Sequence, residues 1–118
     1  MKLHKLGFEK THLFKIEGNT VRFEAIAASA LSLLKTPMVY AWCGVKQNSR
    51  EILYVGKAGG GVDLRLNQHE GGFKNSKTGQ KNLQLLLDKS AQGYAIEVYS
   101  RKAETINIFG VETSLYST

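Results

Sequence analysis

Apolar, β-branched and aromatic residues cluster at positions 38–44 and again at 51–55, with a polar loop at 46–50 between them. This pattern predicts a β-hairpin. Residues 62–69 follow with helix-forming side chains, and Arg65 and His69, four apart, fall on one face of that predicted helix. Upstream, residues 12–16 and 21–24 flank Gly18-Asn19 and predict a second hairpin. Residues 25–35, rich in Ala and Leu, predict a helix ended by Pro37, which cannot continue it. Downstream, Leu83, Leu85, Leu86 and Leu87 supply the apolar side of a helix over 82–90, and residues 95–99 read as a third strand. Residues 105–109 and 111–116 predict a further hairpin about Gly110, or else the second of them opens a helix. No repeat, linker or low-complexity segment interrupts the chain. The expected fold is α/β, a small mixed or antiparallel β-sheet flanked by helices. One domain is expected over 1–118, with a hairpin-helix extension at 1–36 packed on a core at 37–118.

At 118 residues the chain is long enough for one packed core. Sixteen Lys plus Arg against ten Asp plus Glu give a formal charge of +6. That balance favours a polyanionic partner, because basic side chains on phosphates release condensed counterions. Cys43 is the sole cysteine, which excludes an intrachain disulfide and a cysteine-cluster metal site. Its place in a predicted buried strand assigns it to the core as a small apolar residue. The N-terminal residues lack an apolar signal core. The most apolar run, 25–34, is too short to span a bilayer. A cytoplasmic protein with no membrane partner is expected.

The hairpin over 38–55 carries two phenols, Tyr40 and Tyr54, and the helix after it carries the Arg65 guanidinium and the His69 imidazole. That set suits the handling of a phosphate. Met38-Val39-Tyr40, Tyr54-Val55-Gly56, then Arg65 and His69, in this order and spacing, resemble the GIY-YIG nuclease superfamily over residues 37–100. In that superfamily two signature tripeptides lie on the first two strands of a small sheet, with an arginine on the following helix. Methionine replaces the usual first glycine here, and Tyr54-Val55-Gly56 is a common variant of the second tripeptide. The resemblance implies a DNA endonuclease of restriction or phage type that uses one Mg²⁺ or Mn²⁺ ion per active site.

Phosphodiester hydrolysis needs an activated water, neutralised phosphoryl charge and help for the leaving oxygen. A free phenol titrates near 10, too high for a base at neutral pH, and a nearby cation lowers that value. Lys57, directly after the second tripeptide, is the candidate cation. On the resemblance Tyr40 is then the general base, with Tyr54 orienting water or phosphate. Arg65 presents a planar fork that matches a phosphate bidentately, and His69 donates to that phosphate or polarises a tyrosine or water. His4 and His12 have no such partner in the pattern.

Gly56 and Gly59-Gly60-Gly61 permit a tight turn and close approach of a DNA backbone, while the Walker spacing of a nucleotide hydrolase is missing. Lys74, Lys77 and Lys81 lie in a polar segment, 71–82, that reads as a DNA-contacting loop; Lys81 resembles a lysine of restriction-type relatives. The resemblance also implies one glutamate as metal ligand, and after Tyr99 only Glu104 and Glu112 are available. Glu112, flanked by apolar residues, is the better candidate if 110–116 is helical; if that stretch is a strand, the acid is expected beyond Thr118. A homodimer would allow both DNA strands to be cut. The alternative is a catalytically inactive DNA-binding module that keeps Tyr40, Tyr54 and Arg65 but lacks the metal-ligand glutamate.

Overall fold

The structure is a computed structural model and describes residues 3–27, 29–103, 105–108 and 111–114. Two strands, β1 (Glu9–Glu17) and β2 (Thr20–Ala25), form the first hairpin, turning at Gly18 in the left-handed region that glycine tolerates. The second hairpin joins β3 (Met38–Lys46) to β4 (Ser49–Ala58). Two helices follow, α1 (Val62–Asn75) and α2 (Lys77–Ala91), then strand β5 (Ala95–Lys102) and the short strands β6 (Thr105–Ile108) and β7 (Val111–Ser114).

Five strands make one antiparallel sheet in the order β2-β1-β5-β3-β4, and β6 and β7 pair in a separate ribbon. The fold is thus the expected small α/β arrangement, with an antiparallel sheet. The N-terminal hairpin is not laid on top of a finished core. β1 hydrogen-bonds to β5, so residues 9–25 complete the sheet itself.

The main core lies between the sheet and the helices. Phe14, Phe23, Trp42, Ile96 and Val98 from the strands meet Leu66, Phe73 and Leu86 from the helices. On α1 the buried positions are Val62, Leu66, His69 and Phe73, a single stripe at helical spacing. His69 therefore sits in the apolar seam. A smaller cluster of Leu3, Ala41 and Cys43, with Phe8 and Tyr99, covers part of the opposite face. Cys43 is wholly buried there, and burial pushes its thiol up to about 11.

Two elements differ from the sequence expectation, and one open alternative is resolved. The predicted helix over 25–35 is absent: β2 runs to Ala25, and only a 3₁₀ turn forms at Ala30–Leu33. Ser32 is buried with its hydroxyl donating to the Ser29 carbonyl, and Leu34 is extended, its carbonyl oxygen so close to Gly61 that a Cβ there would collide with it. Docking against the start of α1 overrides local helix propensity. The predicted loop over 71–82 is instead helix on both sides of a single break at Ser76. Of the two readings of 111–116, the strand forms over Val111–Ser114.

Candidate active site at the sheet and helix junction

β3 and β4 pair Tyr40 with Gly56 and Trp42 with Tyr54, which places these four positions on the helix-facing side of the sheet. A Cβ at Gly56 would lie 2.6 Å from the Tyr40 hydroxyl oxygen and 2.9 Å from Tyr54 Cε1. Glycine is what allows both rings to cross that strand. Tyr40 is wholly buried, with its hydroxyl 2.6 Å from His69 Nε2. Tyr54 stacks on Trp42 with ring centroids 4.5 Å apart, and meets His69 edge-on at 5.2 Å. Helix α1 thus presses one imidazole against both phenols.

The electrostatics follow from that burial. Loss of water pushes the Tyr40 phenol far above its usual range; Tyr54 adds to the rise, and Arg65 opposes it. Burial pushes His69 down to about 4, and the Arg65 charge acts in the same direction. Both groups are therefore uncharged at neutral pH. We assign the tautomer with the proton on Nδ1, so that the tyrosine O–H donates to Nε2.

Lys57 follows Gly56 in β4. It pairs with Val39 and, by strand alternation, shares that residue's face of the sheet, the opposite one from Tyr40. The cation that opposes the rise of the Tyr40 phenol is Arg65, and that rise, not a fall, is the net result.

A cleft of about 320 Å³ opens beside this cluster. Tyr54, Arg65, Gln68 and His69 form one wall, and Gly72, Ser76, Thr78, Gly79 and Asn82 form the other. The second wall exists because α1 and α2 meet at a glycine elbow. The Ser76 hydroxyl caps α2 by accepting from the Gly79 N–H at 2.9 Å, and a Cβ on Gly79 would run into the Gly72 carbonyl. The first turn of α2 consequently borders the cleft, where the positive end of its dipole and Arg65 both favour an anion. Arg65 is held by donating from Nη1 to Gln68 Oε1 at 3.2 Å.

The structure brings Tyr54, Arg65 and His69 together at the cleft, with Tyr40 directly behind them. Lys74 lies elsewhere, on a separate cleft with Asn19, Thr20 and Asn67. Lys77 and Lys81 stand exposed on the first turns of α2, Lys81 next to Asn82. Glu112 lies in β7, opposite Asn107 in the small ribbon, and Glu104 lies outside the described residues. Gln68, Ser76, Thr78 and Asn82 were not singled out; Gln68 had a signal in its position three residues after Arg65, and the other three lie within the polar segment 71–82. His12, expected to be without a partner, is wholly buried and 3.1 Å from Asp63.

Magnesium is commonly held through one or two carboxylates plus water and substrate oxygens. The described walls of the cleft offer phenol, guanidinium, imidazole, hydroxyl and amide groups but no carboxylate. The two acids nearest to Arg65 along α1 are engaged elsewhere: Asp63 with His12, and Glu70 with the Phe23 N–H. No group of three or more His, Cys, Asp or Glu side chains able to hold a metal occurs among the described residues. By themselves the described walls do not fit a magnesium site.

No family model matches the chain, and no curated protein matches it. Solved structures do share its fold. Restriction endonuclease HPY188I in complex with product DNA superposes with a TM-score of 0.61 at 20% identity, covering 98% of this chain and 69% of that one. A mutant of bacteriophage T4 EndoII superposes with a TM-score of 0.57 at 18% identity, covering 95% of this chain and 80% of that one. The fold is therefore one also found in DNA endonucleases.

Proposed function

We propose that the protein is a GIY-YIG-type DNA endonuclease that hydrolyses phosphodiester bonds at the cleft beside Tyr54, Arg65 and His69. The observation that supports it most is the Tyr40–His69 contact flanked by Arg65: a proton acceptor and a phosphate-binding fork converge on one cleft. Shared fold with endonucleases and a charge of +6 agree with DNA as the partner.

A standing phenolate is not the base in this reading, since burial holds Tyr40 protonated. Tyr40 passes its proton to the neutral His69 Nε2 and takes one from water. This step requires bound substrate to open the cleft to the Tyr40 oxygen, which is shielded from solvent in the structure. Arg65 makes this step depend on substrate. A phosphate on the guanidinium cancels the charge that helps to depress His69, so the imidazole becomes a better acceptor when DNA is bound. Arg65 and the start of α2 stabilise charge growing on the phosphoryl oxygens, and Tyr54 orients the phosphate or the water.

A divalent ion would supply further charge neutralisation and help for the leaving oxygen. Glu112 lies in the strand Val111–Ser114, the case in which it is not the expected ligand, so substituting it asks whether it holds the ion at all. Nicking of supercoiled plasmid in Mg²⁺ or Mn²⁺ is the test, with Arg65→Ala and Glu112→Gln beside the parent. Nicking that both substitutions abolish supports the reading.

The lack of a carboxylate in the described cleft walls favours one second reading, a DNA-binding module without cleavage. Salt-sensitive DNA binding with no nicking in any divalent metal would establish that reading instead.

A further inference from the structure

Strand β1 breaks its own alternation beside the start of α1. Thr11 and His12 are neighbours, yet both are wholly buried. The pairing of β1 with β5 slips between Lys10 and His12, so Thr11 is the extra residue of a β-bulge. Bulges re-aim side chains, and here the result is a buried polar chain. Thr11 Oγ1 lies 2.7 Å from Ser100 Oγ and 2.9 Å from His12 Nδ1, and His12 Nε2 lies 3.1 Å from Asp63 Oδ1.

A carboxylate only accepts, and His12, kept neutral by burial, has a single N–H. Together they set the direction along the chain and leave the Thr11 hydroxyl's longer contact, to the Val98 carbonyl at 3.4 Å, without its proton. His12 donates to Asp63 from Nε2, Nδ1 accepts from the Thr11 hydroxyl, and that hydroxyl oxygen accepts from Ser100. Ser100 is the β5 residue directly opposite Tyr40. Asp63 is in the first turn of α1, the helix that carries Arg65 and His69. Seven residues along the same helix, roughly two turns, Glu70 accepts from the backbone N–H of Phe23 in β2 at 2.9 Å. Serine, threonine, histidine and aspartate in sequence could suggest a nucleophile, but Thr11 and Ser100 are wholly buried. The chain is a tie between elements.

We propose that His12 and Asp63 are positioning residues: the bulge at Thr11 delivers His12 to Asp63, and this tie, with Glu70 on β2, seats α1 so that Arg65 and His69 reach the cleft. The N-terminal hairpin is then part of the site's alignment. The catalytic consequence rests on the nuclease reading; the geometric one does not.

The test compares the parent with His12→Leu, Asp63→Ala and His12→Gln. Glutamine places an N–H near the position of Nε2 and preserves the tie, whereas the other two remove it. Two readouts are needed, plasmid nicking resolved into kcat and KM, and NMR titration of the His69 imidazole. Loss of the tie is expected to lower kcat on the order of 10- to 100-fold with KM little changed. The His69 titration should rise from about 4 toward its ordinary 6.5 as the helix loosens. His12→Gln should stay near the parent in both. Asp63 is nearly half exposed, so Asp63→Ala carries the test if His12→Leu fails to fold. Parental kcat and an unmoved His69 titration in folded Asp63→Ala would overturn the proposal. A parent that nicks no plasmid would remove the nuclease reading alone, and the His69 titration would still decide whether the tie seats the helix.

Discussion

The Tyr40 hydroxyl and His69 Nε2 are 2.6 Å apart in a buried seam, and neither group is charged at neutral pH. The pair joins the first strand of the central hairpin to the middle of α1. Its chemistry and its cost to stability both come from the same removal of water.

The cost appears in acid. The folded value of His69 is about 4, below the ordinary 6.5, so between those values the unfolded chain binds a proton that the folded chain does not. Stability is full above 6.5 and falls as pH drops toward 4, by roughly 3 kcal/mol in the limit. Burial also lowers His12, against the opposing pull of Asp63 and Glu70, and contributes with the same sign. Thermal unfolding across this window should show Tm falling with pH in the parent and falling less in His69→Gln. Equal slopes would place the acid sensitivity elsewhere.

Gly56→Ala should disable the site from a position with no functional group. The added methyl meets Tyr40 and Tyr54 at 2.6 and 2.9 Å, so one ring must move. We expect destabilisation of about 1–3 kcal/mol, as for other overpacked sites, together with loss of nicking. A urea melt and the plasmid assay on one sample measure both, and a parental result in both would show that the rings tolerate the methyl.

Gly79→Ala tests the helix elbow. The methyl has no room against the Gly72 carbonyl, so α1 and α2 must part and the wall made by Thr78 and Asn82 must retreat. DNA binding is expected to weaken more than folding, read as a raised Kd with a cooperative melt retained. An unchanged Kd would remove α2 from the binding surface.

The two central strands were legible because two clusters of apolar, β-branched and aromatic residues, 38–44 and 51–55, flank a polar loop, and the start of α1 because helix-forming residues follow the glycines. The polar composition of 71–82 read as a loop, but Gly79 within it serves a close approach of two helices that only the folded chain reveals. Ala and Leu over 25–35 favoured a helix in isolation, and docking of Leu34 on Gly61 overrode them. Tyr40, Tyr54, Arg65 and His69 were named from their order and spacing together with the family resemblance that these carry. The partner of Tyr40 could not, because choosing Arg65 over Lys57 depends on which face of β4 a side chain occupies. His12 was invisible for a similar reason: a one-residue bulge moves it inward without any change in composition.

Phosphate should act on His69 through Arg65. Inorganic phosphate or a short duplex DNA is expected to raise the His69 titration in the parent and leave it unmoved in Arg65→Ala, as NMR of the imidazole would record. A parental titration that ignores both ligands would separate Arg65 from the proton acceptor.

The most direct measurement is a double-substitution cycle on plasmid nicking, with Tyr40→Phe, His69→Phe and the pair combined, each checked for a cooperative melt. Groups that act as one unit give non-additive losses. The account expects each single substitution to reduce nicking about as much as the double one. Independent losses that add in free energy, or parental nicking by Tyr40→Phe, would contradict it, as would a folded parent that nicks no plasmid in Mg²⁺ or Mn²⁺.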